Sequence, residues 1–346
     1  MNNFKKKKIL IIRLSSIGDV VLTTALLRDI LLSNPDIVID FATYTENVDI
    51  VKHNPYLRQI IHFPKGSKKS DLKKFQLSLT NEKYDFIIDL QNNSISKFIS
   101  QNYIANLSKI DKRRLFKLGL VWLKKGKGQS WHSIHDIYVK AARKFLDLSD
   151  SGKGLEFWLE SDNLSEKYTP HDKVNYKKVK YNIAIAPGAY YKTKQWEPQY
   201  YVELLRKLND ITENIFILGG KSDSNVGSYI SENFMNVINY CGELSLAESA
   251  EIINKSDLMI SNDTGLMHIA ASRQVPTIAI FGSTVREFGF EPFRVINRVV
   301  EIDLACRPCS HIGRNFCPLG HFRCMKEITP EYVYEETIKL INDDFE

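Results

Sequence analysis

Two series of short apolar runs, each run followed by a helical pattern, constrain the fold of this 346-residue chain more than any other feature. The runs of the first series are Lys8–Leu14, Val38–Thr43, Gln59–His62 and Phe86–Leu90. Those of the second are Tyr181–Ala186, Asn214–Leu218, Val237–Tyr240, Leu258–Ser261 and Thr277–Phe281. Strands that alternate with helices form parallel sheets, because each crossover helix returns the chain to the same end of the sheet. The sequence therefore predicts an α/β fold with two doubly wound domains that face a cleft.

A polar stretch that contains Pro170 and lacks apolar periodicity separates the two series. The predicted parts are an N-terminal domain at 1–165, a linker at 166–180, a C-terminal domain at 181–329 and a closing helix at 330–346 that packs back on the first domain. Within the first domain, we also expect a helix at Ile134–Leu148 and an edge strand at Leu155–Leu159.

The N-terminus and the apolar runs bear on location. The longest apolar stretches, such as Ile9–Ile12, are too short to cross a bilayer. Lys5–Lys8 lead directly into a strand pattern and not into the apolar segment of a signal peptide. We therefore expect a cytoplasmic protein whose five cysteines are thiols or metal ligands, not disulfides. The net charge of +6 is compatible with an anionic partner but does not require one.

The first candidate site is Ser15-Ser16-Ile17-Gly18-Asp19, directly after the first apolar run. Ligands of doubly wound sheets bind at the carboxyl ends of the strands. Gly18 permits a sharp turn, and the free N–H groups of a helix start attract anions. Asp19 is a candidate general base there. The alternative is that Asp19 only stabilises the positive end of the helix.

Three further strand ends carry polar groups in the second series. Ser261 to His268 follow one run, and there Asp263 is a candidate helix cap, while Thr264 and Gly265 offer donors to a diphosphate. Gly188 and Lys194 follow the run Tyr181–Ala186. A lysine in such a loop neutralises negative charge. Phe281-Gly282-Ser283-Thr284 end a third. The alternatives are a core histidine at His268 and a solvated lysine at Lys194.

These segments together resemble one family. The stretch KILIIRLSSIGDVVLTTALLRDI is similar to the opening signature of the bacterial heptosyltransferases, the ninth glycosyltransferase family. The stretch ISNDTGLMHIAASRQVPTIAIFGST resembles that family's donor signature. KTKQW matches its lysine–any–tryptophan loop, and Leu218-Gly219-Gly220 match its glycine-ended strand. The matches extend over nearly the whole chain in the expected order.

The resemblance implies two Rossmann-like domains of the GT-B type and inversion at the anomeric carbon, with no cofactor required for catalysis. It implies that Asp19 is the general base and Lys194 the phosphate-contacting lysine. The donor-binding residues that it implies are Gly188, Asp223, Asp263, Thr264, Gly265, Leu266 and His268. The acceptor-side residues that we expect are Ser15, Ser16, Gly18, Gln91 and Asn92.

The implied partners are a nucleotide-sugar donor such as ADP-heptose and a lipid-linked glycan acceptor such as lipopolysaccharide core. A family member with another sugar or acceptor is one alternative, and a nucleotide-sugar epimerase of the same architecture is another. The Ser15–Asp19 opening argues against the epimerase. No nucleic-acid motif is present, so we expect no nucleic-acid partner.

Two features lie outside this assignment. Cys306, Cys309, Cys317 and Cys324 predict a structural zinc, since the first pair has zinc-type spacing; the alternative is a loop of reduced thiols. The basic segment, Lys109–Lys127, has eight Lys and Arg residues against one acid, with apolar residues such as Trp122 between them. It predicts peripheral contact with an anionic membrane, and the alternative is a solvated face.

Overall fold

The computed structural model describes residues 6–102, 106–124, 128, 132–162, 180–232 and 234–343. The chain forms two compact units, the first from Met1–Arg113 and Ile134–Leu164 and the second from Arg114–Ser133 and Ser165–Glu346. The predicted linker at 166–180 lies outside the described residues, except for Lys180.

The first unit contains a five-stranded parallel sheet with the order β3-β2-β1-β4-β5. Its strands are β1 (Lys7–Ile12), β2 (Ile37–Tyr44), β3 (Leu57–Phe63), β4 (Phe86–Asp89) and β5 (Asn106–Lys109). The central strand β1 is buried from Ile9 to Ile12, as its continuous apolar run predicts for a strand covered on both faces.

The second unit contains a six-stranded parallel sheet with the order β11-β10-β9-β6-β7-β8. Its strands are β6 (Tyr181–Ala186), β7 (Thr212–Ile217), β8 (Val237–Asn239), β9 (Leu258–Asn262), β10 (Thr277–Phe281) and β11 (Asn297–Glu301). The order reverses beside β6, so the loops after β6 and β9 meet at the point where ligands of such sheets bind. The predicted α/β class with two Rossmann-like domains is confirmed.

Helices connect the strands. In chain order they are α1 (Ile17–Val21), α2 (Thr24–Ser33), α3 (Lys69–Asn81), α4 (Ser94–Asn102), α5 (Arg114–Leu118), α6 (Ile134–Ala142), α7 (Pro198–Leu208), α8 (Ser224–Ser231), α9 (Leu246–Asn254), α10 (Gly265–Ser272), α11 (Arg323–Lys326) and α12 (Pro330–Asp343). Within the described ranges, none is both long and apolar enough to cross a membrane. The helix expected from Asp19 to Leu32 is interrupted between α1 and α2, where the Thr23 hydroxyl donates to the carbonyl of Val20.

The edge strand expected at Leu155–Leu159 does not form. Its neighbourhood bonds instead to α2, because the buried Arg28 guanidinium donates to the carbonyls of Lys153 and Gly154 at 3.0 and 2.9 Å. Arg28 also pairs with Glu156 at 2.6 Å. The N–H of Glu156 donates to the Thr24 hydroxyl at 2.9 Å. Within the expected strand, the Glu156 N–H is thus bound to a side chain of α2 and not to a neighbouring strand.

The segment Arg114–Ser133 interrupts the first unit in sequence but belongs to the second. Its residue Leu120 is buried against Val285 and Phe288 of the second unit. The Lys124 ammonium donates to the carbonyls of Cys306 and Pro308 at 3.1 and 2.6 Å.

The C-terminal helix α12 packs on α7 and β11 of its own unit. Directly before it, the Ile328 carbonyl accepts a hydrogen bond from the indole of Trp196 at 2.8 Å. The tryptophan is buried next to α7, so it fixes the point at which α12 begins.

Candidate functional site

The loop that follows β1 is held in place at the carboxyl end of its sheet. The Leu14 carbonyl accepts hydrogen bonds from the side chain of Asn47 at 2.8 Å and the N–H of Tyr44 at 3.2 Å. The Leu14 N–H donates to the side chain of Gln91 at 2.8 Å, and Gln91 lies 3.4 Å from the Ser15 hydroxyl. The structure thus brings together the predicted acceptor-side residues Ser15 and Gln91.

Asp19 lies at the start of α1 with polar partners on both carboxylate oxygens. Oδ2 accepts hydrogen bonds from the Ser16 hydroxyl at 2.7 Å and the Ser16 N–H at 3.2 Å. Oδ1 lies 2.6 Å from a guanidinium nitrogen of Arg13 and 3.4 Å from the Tyr138 hydroxyl. Asp19 therefore contacts the helix start, as its alternative role requires, but it also has a cation beside it.

These partners control the protonation of Asp19. Burial raises its pKa, whereas the charge of Arg13 and the hydrogen bonds from Ser16 and Arg13 lower it more, so the pKa lies below its usual value. Burial is also the main reason why the pKa of Tyr138 is raised. Asp19 is consequently a carboxylate at neutral pH, and Tyr138 keeps its proton.

Arg13 and Tyr138 were not among the predicted site residues. Arg13 follows β1 and its guanidinium lies 5.8 Å from the centre of the Tyr138 ring. A charged residue at the end of a buried apolar run was the available signal for Arg13. Tyr138 lies on α6, far from β1 in sequence, and nothing in its neighbourhood of the sequence identifies it.

The turn after β4 is shaped by a buried carboxylate. Asp89 accepts hydrogen bonds from the N–H groups of Gln91, Asn92 and Asn93 at 2.9, 2.7 and 2.9 Å. Asn92 has a φ of 56°, a left-handed conformation that asparagine adopts more readily than most residues. Asp89 thereby orients the predicted pair Gln91 and Asn92.

In the second unit, Gly188 and Asp223 lie beside each other although they follow different strands. A Cβ atom at Gly188 would lie within 3.0 Å of the Asp223 carboxylate. Oδ2 of Asp223 accepts a hydrogen bond from the N–H of Gly220 at 2.9 Å. Glycine at 188 therefore leaves room for an acidic side chain between the loops after β6 and β7.

Lys194 contacts the loop between β9 and α10 directly. Its ammonium lies 2.7 Å from Oδ2 of Asp263, and the hydroxyl of Thr284 donates to the same oxygen at 2.7 Å. Asn262 ties the preceding residues together, since its side chain donates to the Pro187 carbonyl at 2.6 Å. Three strand ends, after β6, β9 and β10, thus meet around one carboxylate.

This arrangement corrects the predicted cap of α10. Thr264, not Asp263, occupies the capping position, because Lys194 and Thr284 engage the Asp263 carboxylate. Thr264, Gly265 and Leu266 remain partly accessible at the helix start. The helix begins there with N–H groups that an anion can bind.

His268 is buried on α10, and its ring centre lies 6.4 Å from that of Phe290. The neighbouring Met267 packs against Ala279 and Phe281 in the core. Burial is what the alternative of a core histidine requires, while the position one turn after Thr264 places His268 near the start of α10.

In the cysteine loop, residues 306–324, all of which the structure describes, no three cysteine, histidine or carboxylate ligand atoms lie within 4.8 Å of one another. Burial raises the pKa of Cys324 to about 11 and, with the neighbouring Cys317, raises that of Cys309. The distance from the Cys306 sulfur to Nε2 of His321 is 3.9 Å. Zinc binding at the four cysteines stays a prediction.

A group of three residues in the first unit could hold a metal ion by the spacing of its ligand atoms. Among the residues that the structure describes, the side chains of Asp29, His135 and Asp150 are the one such group within 4.8 Å of one another. Arg28 lies 3.5 Å from Asp29, and the Ser151 hydroxyl donates to Asp29 at 2.7 Å. An arginine counter-charge and a hydroxyl donor give this cluster a structural explanation within the polar network that replaces the expected edge strand.

Comparisons with known proteins identify the family. The model of glycosyltransferase family 9 (heptosyltransferase) matches residues 72–319. Lipopolysaccharide heptosyltransferase 2 of Salmonella typhimurium is 24% identical over 355 residues, covering 97% of this chain and 99% of that protein. Lipooligosaccharide heptosyltransferase 2 of Campylobacter jejuni is 32% identical over 164 residues. That match covers 46% of this chain and 51% of the relative, so the chain spans about half the length of the relative there.

A solved structure shows the same fold. Escherichia coli ADP-heptose lps heptosyltransferase II superposes with a TM-score of 0.70 at 20% identity, over 97% of this chain and 99% of that one. The family match covers well over half of the chain and includes both the Lys194 turn and the loop before α10. The chain therefore belongs to glycosyltransferase family 9, the heptosyltransferases.

Proposed function

We propose that this protein is an inverting glycosyltransferase that moves a heptose from an ADP-sugar donor to a lipid-linked glycan such as lipopolysaccharide core. The family membership and the names of the relatives support this choice. The observation that carries it is the ammonium of Lys194, which lies at the junction of three strand-end loops and 2.7 Å from Asp263. A cation there suits a donor whose leaving group is a nucleoside diphosphate.

Asp19 supplies the base in this proposal. The acceptor hydroxyl gives its proton to the Asp19 carboxylate while its oxygen forms a bond to the anomeric carbon of the sugar. The bond from that carbon to the diphosphate oxygen breaks at the same time, so the configuration inverts. Because Arg13 and Ser16 keep Asp19 ionised, the base is ready at neutral pH, though a lowered pKa also weakens its attraction for a proton.

The second unit binds the donor and stabilises the leaving group. Lys194 and the N–H groups at the start of α10 neutralise the charge that develops on the departing diphosphate. Asp223 accepts hydrogen bonds from the ribose hydroxyls, and the glycine at 188 gives the nucleotide access to that carboxylate. These groups act in place of a divalent ion, so transfer requires no metal in this proposal.

The acceptor's lipid directs the protein to the cytoplasmic face of a membrane. In the second unit, Leu115 is 86% exposed and Trp122 72% exposed, with Arg114 and Lys117 beside them on the same segment. Lysine and arginine are each worth about 1 kcal/mol near an anionic lipid surface, and an exposed tryptophan suits the interface. The basic residues Lys125 and Lys127 of the same segment lie outside the described residues.

The proposal is tested by a donor screen followed by a transfer assay. ADP-, GDP-, UDP- and CMP-sugars are compared by thermal shift, where a ligand at 100 times its Kd stabilises by about 2.7 kcal/mol. ADP-heptose is then incubated with heptose-deficient lipopolysaccharide core, and the product is identified by mass spectrometry. Heptose on the core supports the proposal. If only a different nucleotide sugar stabilises the protein, ADP-heptose is not the donor.

A parallel incubation without acceptor separates transfer from the alternative epimerase activity. A transferase leaves the sugar of ADP-heptose unchanged over the period in which the complete reaction runs. Isomerisation of the sugar with no acceptor present would overturn the assignment.

A further inference from the structure

Thr193 lies in the middle of the short helical turn Lys192–Lys194, directly before the lysine proposed to contact the donor diphosphate. Its side chain is 1% exposed, whereas its two lysine neighbours are more accessible. A threonine buried between two lysines in a loop is not required by the helical turn itself. Its contacts indicate what the burial achieves.

Four hydrogen bonds converge on Thr193 from two other segments. Its hydroxyl oxygen accepts from the Ser283 hydroxyl at 2.8 Å and from the Arg314 N–H at 2.8 Å. Its own N–H donates to the Arg314 carbonyl at 3.0 Å, and its carbonyl accepts from the Ser283 N–H at 3.1 Å. Thr193 therefore joins the lysine turn to the loop after β10 and to the cysteine loop.

These contacts complete a closed ring of residues that includes Lys194, the lysine proposed to contact the diphosphate. Lys194 pairs with Asp263, Asp263 accepts from Thr284, and Thr284 follows Ser283, which bonds to Thr193. Every member of the ring belongs to the second unit. Because the ring is closed, a change at Thr193 alters the position of Lys194 through its backbone and also through Asp263.

We propose that Thr193 is a positioning residue that fixes the Lys194 ammonium relative to the donor diphosphate. The proposal rests on the proposed function, since it takes the ligand of Lys194 to be a nucleoside diphosphate. Thr193 does not touch the donor in this proposal; it acts through Lys194. The Arg314 contacts further make the cysteine loop a support for the donor site.

The test compares ADP with adenosine, which lacks the diphosphate, by isothermal titration calorimetry. Thr193→Val keeps the shape of the side chain but removes the acceptor of Ser283 and Arg314. We expect the Kd for ADP to rise about tenfold, equivalent to about 1.4 kcal/mol, with the Kd for adenosine unchanged. Thr193→Ser, which keeps the hydroxyl, should bind ADP within about twofold of the wild type.

Two further variants separate positioning from a general loss of structure. Thr277→Val removes another buried hydroxyl of the same sheet, one that bonds to the Val275 carbonyl at the opposite strand end, and should leave both Kd values unchanged. Ser283→Ala removes the donor from the other side of the contact and should reproduce the loss for ADP, so the test does not depend on the folding of Thr193→Val.

A double-mutant cycle decides whether Thr193 acts through Lys194. In a Lys194→Ala background, Thr193→Val should have no further effect on ADP binding. An undiminished effect in that background, or an equal loss for adenosine, would overturn the proposal. Failure of the wild-type protein to bind ADP is a separate result, since it contradicts the proposed donor and removes the basis of this inference with it.

Discussion

A guanidinium nitrogen of Arg13 lies 2.6 Å from Oδ1 of Asp19, so the proposed base is paired with a cation before any substrate arrives. The opposite oxygen of the carboxylate accepts two hydrogen bonds from Ser16. The pair fixes the direction in which Asp19 presents its oxygens and keeps it ionised.

Replacing the base should reduce turnover. Asp19→Asn keeps the size of the side chain but cannot accept the proton of the acceptor hydroxyl, so we expect kcat to fall roughly 10²–10⁴-fold. ADP binding, measured by calorimetry, should stay unchanged because the donor residues lie in the other unit. Asp36→Asn, at an exposed position before β2, is the control. Turnover near the wild-type value would remove Asp19 from the mechanism.

The pH dependence of transfer should report the charge of Arg13. The pKa of Asp19 is lowered, so its ionised form, and the stability that it contributes, are present above the usual aspartate pKa and are lost as the pH falls through the lowered value. In Arg13→Gln the opposing effect of burial remains, so the pKa rises and the acid limb of kcat moves to higher pH. Arg13→Lys keeps the charge and should shift the limb less. Identical profiles for wild type and Arg13→Gln would contradict this coupling.

Replacing Lys194 should selectively weaken the binding of ligands that carry phosphate. Lys194→Ala leaves the Asp263 carboxylate without its ion pair and the diphosphate without a cation, so ADP binding and kcat should both fall by at least tenfold. Adenosine binding should be little changed. Lys192→Ala, in the same turn, is the matched control and should bind ADP almost normally. A loss of equal size for adenosine and ADP would argue against a phosphate contact.

We expect a bound zinc to contribute to the stability of the protein and not to the transfer reaction. Transfer should survive EDTA, and the purified protein should contain about one zinc per chain, which Cys309→Ser abolishes and Cys241→Ser does not. Removal of the zinc should lower Tm more than it lowers kcat, because the cysteine loop supports the fold. Activity that EDTA abolishes and magnesium restores would contradict the proposed chemistry. The absence of zinc from protein produced in zinc-supplemented medium would exclude the metal at the cysteines.

Vesicle binding should depend on the exposed apolar residues of the second unit. The double variant Leu115→Ser, Trp122→Ser should bind anionic vesicles at least tenfold more weakly in a sedimentation assay at low salt. The control double variant Leu32→Ser, Met235→Ser removes apolar residues that are 62% and 105% exposed elsewhere on the surface, and should bind normally. Salt should weaken binding of the wild type as the Debye length falls below about 10 Å. Equal binding by both double variants would leave the basic segment as a solvated face.

The sequence predicted nine of the eleven strands that the structure describes, because a continuous apolar run is a local signal. The edge strands β5 and β11 have only short apolar stretches and were missed. Continuous apolar runs such as Ile9–Ile12 are buried on both faces, and polar residues follow where the strands end. The rule that ligands bind at the carboxyl ends of strands therefore predicts Asp19, Gly188 and Lys194 as site residues from the sequence alone. The proximity of Gly188 and Asp223 also agrees with the order β6-β7.

Other features could not be predicted because they depend on contacts between distant residues. Arg13 and Tyr138 are far apart in sequence and meet only because α6 returns to β1. The stretch Leu155–Leu159 has a strand-like pattern, but Arg28 occupies carbonyls just before it, so tertiary contacts override the local preference. Aspartate commonly caps helices, but the carboxylate of Asp263 pairs with Lys194 and not with the start of α10.

The attachment of residues 114–133 to the second unit has a consequence for synthesis. The chain passes between the two units three times, after residues 113, 133 and 164. The ribosome therefore makes Leu120 before Val285 and Phe288, against which it is buried. At about 5–20 residues per second the interval is on the order of ten seconds. During that time Leu120 has not yet been buried by Val285 and Phe288. A fragment that starts after residue 164 would lack Leu120 altogether.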